Sequence, residues 1–142
     1  MIKDIFFDFD GVLAESVDIK TEAFYEMFLN HGTDVATKVK RHHLDNGGIS
    51  RFEKFKLYYR IFLNNEISKK EIQILAKQFS NLVVKKVIAS KEVNGAREFL
   101  NKNKSLYRYH IITGTPTDEI KTILNGRKLD FFSNNVYGSP KK

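Results

Sequence analysis

The sequence contains no cysteine. Disulfides, thiolate catalysis and cysteine metal sites are therefore excluded. Long hydrophobic runs are missing too: no apolar stretch approaches the ~20 residues needed to span a bilayer. The first residues, Met1-Ile2-Lys3-Asp4, pass straight into a strand pattern and lack the layout of a signal peptide. The expectation is a cytoplasmic protein with no membrane partner. Basic residues are in surplus, with a formal net charge of +7 and a pI near 9.5. They are scattered among acids, as at Lys69-Lys70, Lys85-Lys86 and Lys102 to Lys104, with no arginine-aromatic stripe of the nucleic-acid-binding kind. No nucleic-acid partner is expected, and the surplus reads as a solvated surface that steers small anions.

What is present describes an ordinary globular chain. At 142 residues, with 42% hydrophobic and 29% charged content, it can bury one core and carry an inserted lobe. The stretch Ile5-Phe6-Phe7-Asp8-Phe9-Asp10-Gly11-Val12 organises the rest. Its short, aromatic, β-branched lead-in reads as a strand buried on both faces. On a strand, residues two apart point the same way, which would bring Asp8 and Asp10 together where the strand ends. Gly11 permits a sharp turn there. Paired carboxylates at the end of a core strand are costly unless something cationic binds them. A divalent metal with a phosphate ester would give the pair a use; the plain alternative is an acidic turn.

Helical spacing then covers Ser16 to Leu29, Val35 to Leu44, the stretch from Ser50 to Leu63, and Lys69 to Ala89. Ser50 and Ser68 are placed as N-caps, and Asn30-His31-Gly32 and Asp45-Asn46-Gly47-Gly48 as breaks. These four helices read as a small lobe. From Val93 the pattern alternates: helix Gly95 to Asn103, strand Tyr107 to Thr113, helix Thr117 to Leu124 with Thr115 as N-cap and Pro116 at its first position. A third strand follows around Phe131-Phe132 and Val136-Tyr137. Such alternation implies a parallel sheet with crossover helices, an α/β Rossmann-like fold. The domain reading is a core of residues 1-14 and 90-142 with a helical insertion over 15-89.

In open α/β sheets the site lies beyond the carboxyl ends of the strands. Those ends present Asp8 and Asp10, then Thr113 with Gly114, then Lys141. Two carboxylates, a hydroxyl and an ammonium suit phosphoryl transfer: one carboxylate attacks, the other moves the proton, and donors hold the equatorial oxygens.

These residues give the chain its likeness to a family. It resembles the haloacid dehalogenase (HAD) superfamily of phosphohydrolases. Asp8-Phe9-Asp10-Gly11-Val12 is similar to the first motif, Ile111-Ile112-Thr113-Gly114-Thr115-Pro116 to the second, and Gly138-Ser139-Pro140-Lys141 to the third. The helical segment resembles the cap of the subgroup containing phosphoglycolate phosphatase and β-phosphoglucomutase. The resemblance implies Asp8 as nucleophile and Asp10 as the acid and base. It implies Thr113 and the Gly114 amide on the phosphoryl oxygens, with Lys141 neutralising them. It also implies Mg²⁺ on the Asp8 carboxylate and the Asp10 backbone carbonyl, together with a further acid. That acid belongs to a fourth motif after another strand, whereas this sequence stops at Lys142. The expectation is therefore an incomplete C-terminal core: a shortened chain, or a sheet completed by another subunit.

Gly47-Gly48-Ile49-Ser50-Arg51 resembles the substrate-specificity loop of the cap. There Gly48, Ser50 and Arg51 would meet an anionic substrate. The other reading is a glycine turn, a serine cap and a solvated arginine, and both stand. Lys20 occupies a position where mutases carry a histidine, which favours a phosphatase; it is either a substrate contact or an exposed lysine. His42-His43 diverge by ~100° on a helix and read as solvated. The expected activity is Mg²⁺-dependent hydrolysis of a small phosphorylated metabolite, such as a sugar phosphate, through an aspartyl-phosphate. A sugar-phosphate mutase and an inactive binding fragment are the alternatives.

Overall fold

A computed structural model describes residues 1–140. The chain runs β1 (Asp4–Phe7), α1 (Val17–Phe28), α2 (Thr33–Asp45), α3 (Arg51–Leu63), α4 (Lys69–Ala89), α5 (Ala96–Asn103), β2 (Arg108–Pro116), α6 (Thr117–Gly126) and β3 (Val136–Ser139). It divides into two compact units: Met1–Val17 together with the chain from Lys86 on, and Asp18–Lys85. No helix of the described residues is long and apolar enough to cross a membrane.

The first unit is α/β. Its three strands are parallel in the order β1-β2-β3, so β1 is an edge. β2 alternates, burying Tyr109, Ile111, Thr113 and Thr115 while Arg108 and Ile112 stay exposed. On the buried face Phe7 meets Phe99, Tyr109 and Phe132 edge-on, with ring centroids 5.6–6.3 Å apart. Leu100, Ile120 and Ile123 complete that core without exposure. On the opposite face Phe6 keeps 57% of its surface in solvent. The expectation of a first strand buried on both faces is therefore corrected. β1 has one neighbour, and the face that carries Phe6, Ile112 and Tyr137 stays partly in solvent.

The second unit holds the helices from α1 to the body of α4. Ser68 and Glu71 form a reciprocal capping box: the Ser68 amide donates to Glu71 Oε2 at 2.6 Å and the Glu71 amide to Ser68 Oγ at 3.1 Å. Ser50 Oγ accepts the Glu53 amide at 3.3 Å, and Asn64 closes α3 in the left-handed region at φ 49°. Phe24, Phe28, Phe55, Tyr58 and Phe79 are almost fully buried, and Phe24 lies 4.4 Å from the Phe79 ring.

Two boundaries differ from expectation. β2 continues to Pro116, which pairs with Ser139, so Thr115 is a buried strand residue and α6 starts at Thr117. Phe131-Phe132 lie before β3 in a turn, where Phe132 fills the core; ring burial and not strand pairing explains their presence.

Candidate active site

β1 ends at Phe7, and the next residues are held by a turn wrapped around one carbonyl. Phe9 is fully buried, and its oxygen accepts the amides of Val12, Leu13 and Ala14 at 3.1, 2.9 and 3.4 Å. Gly11 takes φ 77°, a region L side chains avoid, and its amide donates to Ala14 O at 2.8 Å. Asp8 and Asp10 flank this anchor. Asp8 is exposed, with Oδ1 accepting the Phe9 amide at 2.7 Å. Asp10 is half-buried, and its Oδ1 accepts the hydroxyl of fully buried Ser16 at 2.5 Å. Ser16 Oγ also lies 3.3 Å from Ala14 O. Its single proton serves the shorter, charge-assisted contact. Sequence reasoning took Ser16 only as a helix start. Its placement just ahead of α1 and six residues past Asp10 is the one signal it leaves.

Strand register brings the second segment alongside. Phe7 pairs with Ile111, so Asp8 leaves β1 one step short of the level of Thr113. Thr113 is buried, with Oγ1 accepting the Thr115 amide at 3.2 Å, which leaves its hydroxyl proton to donate. Gly114 follows on the other face. β3 closes the same carboxyl edge. Gly138 donates to Thr117 Oγ1 at 3.2 Å, and a Cβ there would stand 2.6 Å from the Thr117 nitrogen. Lys141 lies outside the described residues.

The remaining expected residues belong to the helical unit. Ser50 caps α3. Gly48 is an exposed turn residue with open space around its Cα. Arg51 is not solvated: it is 5% exposed, its Nη1 donates to Ser80 Oγ at 2.8 Å, and its guanidinium stands 4.6 Å from the Phe79 ring centroid. Lys20 is buried, which corrects the exposed reading. The histidines are corrected as well. They do diverge, but His43 is buried against Lys54 Nζ at 2.8 Å, and His42 Nδ1 meets the Tyr58 hydroxyl at 2.8 Å. Both meet side chains of α3, which α2 contacts.

The site thus consists of an acidic turn after the first strand of a parallel sheet and a Thr-Gly pair near the carboxyl end of its second. Residues 5–141 match the haloacid dehalogenase-like hydrolase family, and the chain belongs to it. No curated protein matches. Among solved structures, the fold is similar to that of a protein provisionally named a beta-phosphoglucomutase from Bacteroides vulgatus. The TM-score is 0.76 at 18% identity, over 97% of this chain and 55% of that one. It is similar also to a protein provisionally named a phosphoglycolate phosphatase from Haemophilus somnus 129pt, with TM-score 0.66, 19% identity, and 99% and 64% of the two chains covered. A third is the HAD-hydrolase YfnB from Bacillus subtilis bound to magnesium, with TM-score 0.64 at 14% identity, over 97% and 65%. The chain thus spans between 55% and 65% of the length of these neighbours.

Proposed function

We propose that the chain carries the chemistry of a Mg²⁺-dependent phosphatase acting on a small phosphorylated metabolite, a sugar phosphate being the type, in the cytoplasm. The observation that supports this reading is the parallel register of β1 and β2, with Phe7 opposite Ile111, after which Asp8 and Asp10 follow on one strand and Thr113 and Gly114 on the other toward the same end of the sheet. An Asp8 carboxylate oxygen attacks phosphorus and the ester P–O bond breaks. Asp10 gives the leaving oxygen its proton, so that the alcohol departs neutral. Asp10 then takes a proton from water, whose oxygen attacks the aspartyl-phosphate; inorganic phosphate leaves and Asp8 is restored. The Thr113 hydroxyl and Gly114 amide donate to the phosphoryl oxygens, where charge accumulates in the transition state. In this reading Lys141 adds a positive charge to the same oxygens.

The donor set suits magnesium in kind. Asp8 supplies an exposed carboxylate and Asp10 a backbone carbonyl, both hard oxygen ligands, and Mg²⁺ is usually held by one or two carboxylates plus substrate phosphate. Among the described residues no three His, Asp or Glu side chains gather as a metal cluster. When bound, the ion would screen charge between carboxylate and phosphate.

Hydrolysis of p-nitrophenyl phosphate with and without Mg²⁺ tests the reading. Asp8→Asn, a change at an exposed side chain, should lower kcat by about 1,000-fold or more while leaving the fold intact. Activity that survives this substitution refutes the nucleophile. Isomerisation of a hexose phosphate primed by a bisphosphate would favour the mutase, a reading supported by the name of one structural neighbour. Phosphate-ester binding without turnover would favour the inactive binding form.

A further inference from the structure

Helix α4 begins in the helical unit and ends in the α/β unit, since the division falls between Lys85 and Lys86. The end of a helix leaves its last carbonyls without intrahelical donors, and such a turn ordinarily frays first. Here that turn meets a buried cation. Arg127 is 8% exposed, and its Nη1 lies 2.8 Å from Val87 O, 3.2 Å from Ile88 O, 2.7 Å from Ser90 O and 3.0 Å from Ser90 Oγ. Four acceptors share two hydrogens, so the charge sits on the negative end of the helix dipole as much as on any one bond. The backbone closes in as well: a Cβ on Gly126 would stand 2.9 Å from Ile88 Cδ1.

A second arginine holds the first in place. Arg97 Nη2 donates to Arg127 O at 3.0 Å and Nη1 to Lys128 O at 3.1 Å, where Lys128 takes φ 57°. Arg97 Nε donates to Glu92 Oε1 at 2.8 Å, and Glu92 bridges to Ala14. The outgoing and returning connections are tied by Glu15 N to Lys91 O at 2.8 Å. None of these groups belongs to the proposed phosphoryl site.

We propose that Arg127, positioned by Arg97, anchors the last turn of α4 to the α/β unit, so that α4 yields on the N-terminal side of Val87 and not at its end. The anchored turn is then more protected than the turn before it, the reverse of ordinary fraying.

Hydrogen–deuterium exchange on the full chain tests this. In the unaltered protein, amides of residues 87–90 should exchange more slowly than those of 83–86; equal or faster exchange at 87–90 overturns the proposal. Arg127→Gln should speed exchange at 87–90 by about tenfold or more, the loss expected for bonds from a charged donor, with β2 and α3 unchanged. Arg127→Lys, which keeps a charged donor, should restore part of the protection, and Arg97→Gln should loosen the same residues to a smaller degree. No change at 87–90 in Arg127→Gln overturns the proposal. So does a uniform rise that includes β2 and α3, because that would mark general destabilisation.

Discussion

At Gly138 the absence of a side chain is a packing requirement. Its Cα sits where β3 passes the junction of β2 and α6, and a Cβ would stand 2.6 Å from the Thr117 nitrogen and 2.8 Å from Thr117 Cα. Backbone atoms cannot swing aside as a flexible side chain can. Gly138→Ala should therefore destabilise by about 3 kcal/mol. Gly48→Ala, with open space around it and no positive φ, should stay within about 1 kcal/mol. Thermal melts of the two variants check the contrast; equal losses would contradict it. The sequence shows both glycines in motif-like surroundings, and nothing in either string says which one touches a neighbouring backbone. The same blindness hid the inward turn of Arg51, Lys20, His43 and Lys54. Each is polar on a helix, and burial came from partners brought near by the fold, such as Ser80 for Arg51 and Lys54 for His43. The turn at Gly11 was legible because its meaning is local: a glycine just past a strand end, taking φ 77°.

Among the elements, helices were read closely and strands less so. The reason is physical. α4 announces itself with a capping box and a long apolar stripe, both set by neighbours in sequence. β1 and β3 are short runs whose extent is decided by pairing, and β2 outruns its apolar stretch because Pro116 pairs with Ser139. The β1–β2 pair also carries an electrostatic tie outside the site. Asp4 Oδ1 accepts from His110 Nε2 at 2.8 Å and lies 2.9 Å from Arg108 Nε. The hydrogen bonds from His110 and then Arg108 hold the Asp4 carboxyl below its ordinary value of 3.8. A carboxyl depressed in the folded state stabilises above its unfolded pKa, and that contribution is lost as pH falls through the folded value. The difference in melting temperature between the unaltered protein and Asp4→Asn should hold near pH 6 and fade as pH falls below the ordinary carboxyl value of 3.8. A difference that persists in acid, or grows, would show that the tie does not depend on the charge of Asp4.

For the whole molecule, the sheet poses a question of balance. Parallel sheets as a rule are covered on both faces, because their strands carry apolar residues on each side. Here one face packs on Phe99, Leu100 and Phe132, while the other leaves Phe6, Ile112 and Tyr137 at 57%, 39% and 41% exposure. His110 lies between two of these rings, stacked 4.4 Å from Phe6 and 6.4 Å from Tyr137. This apolar row begins on an edge strand, which is where unwanted pairing starts. The alternation of strands and helices predicted the parallel sheet, but not which of its faces would be covered. If the row is free in solution, the double substitution Phe6→Thr with Ile112→Thr should cut binding of a hydrophobic dye severalfold and raise solubility. Stability should move by no more than about 1 kcal/mol, since exposed positions carry little packing energy. Loss of several kcal/mol, or a melting temperature that rises with protein concentration in the unaltered chain alone, would show that the face is covered by association. Sedimentation of both proteins over a range of concentrations separates the two outcomes, because removing an interface dissolves an assembly, whereas polishing a bare face leaves a monomer a monomer.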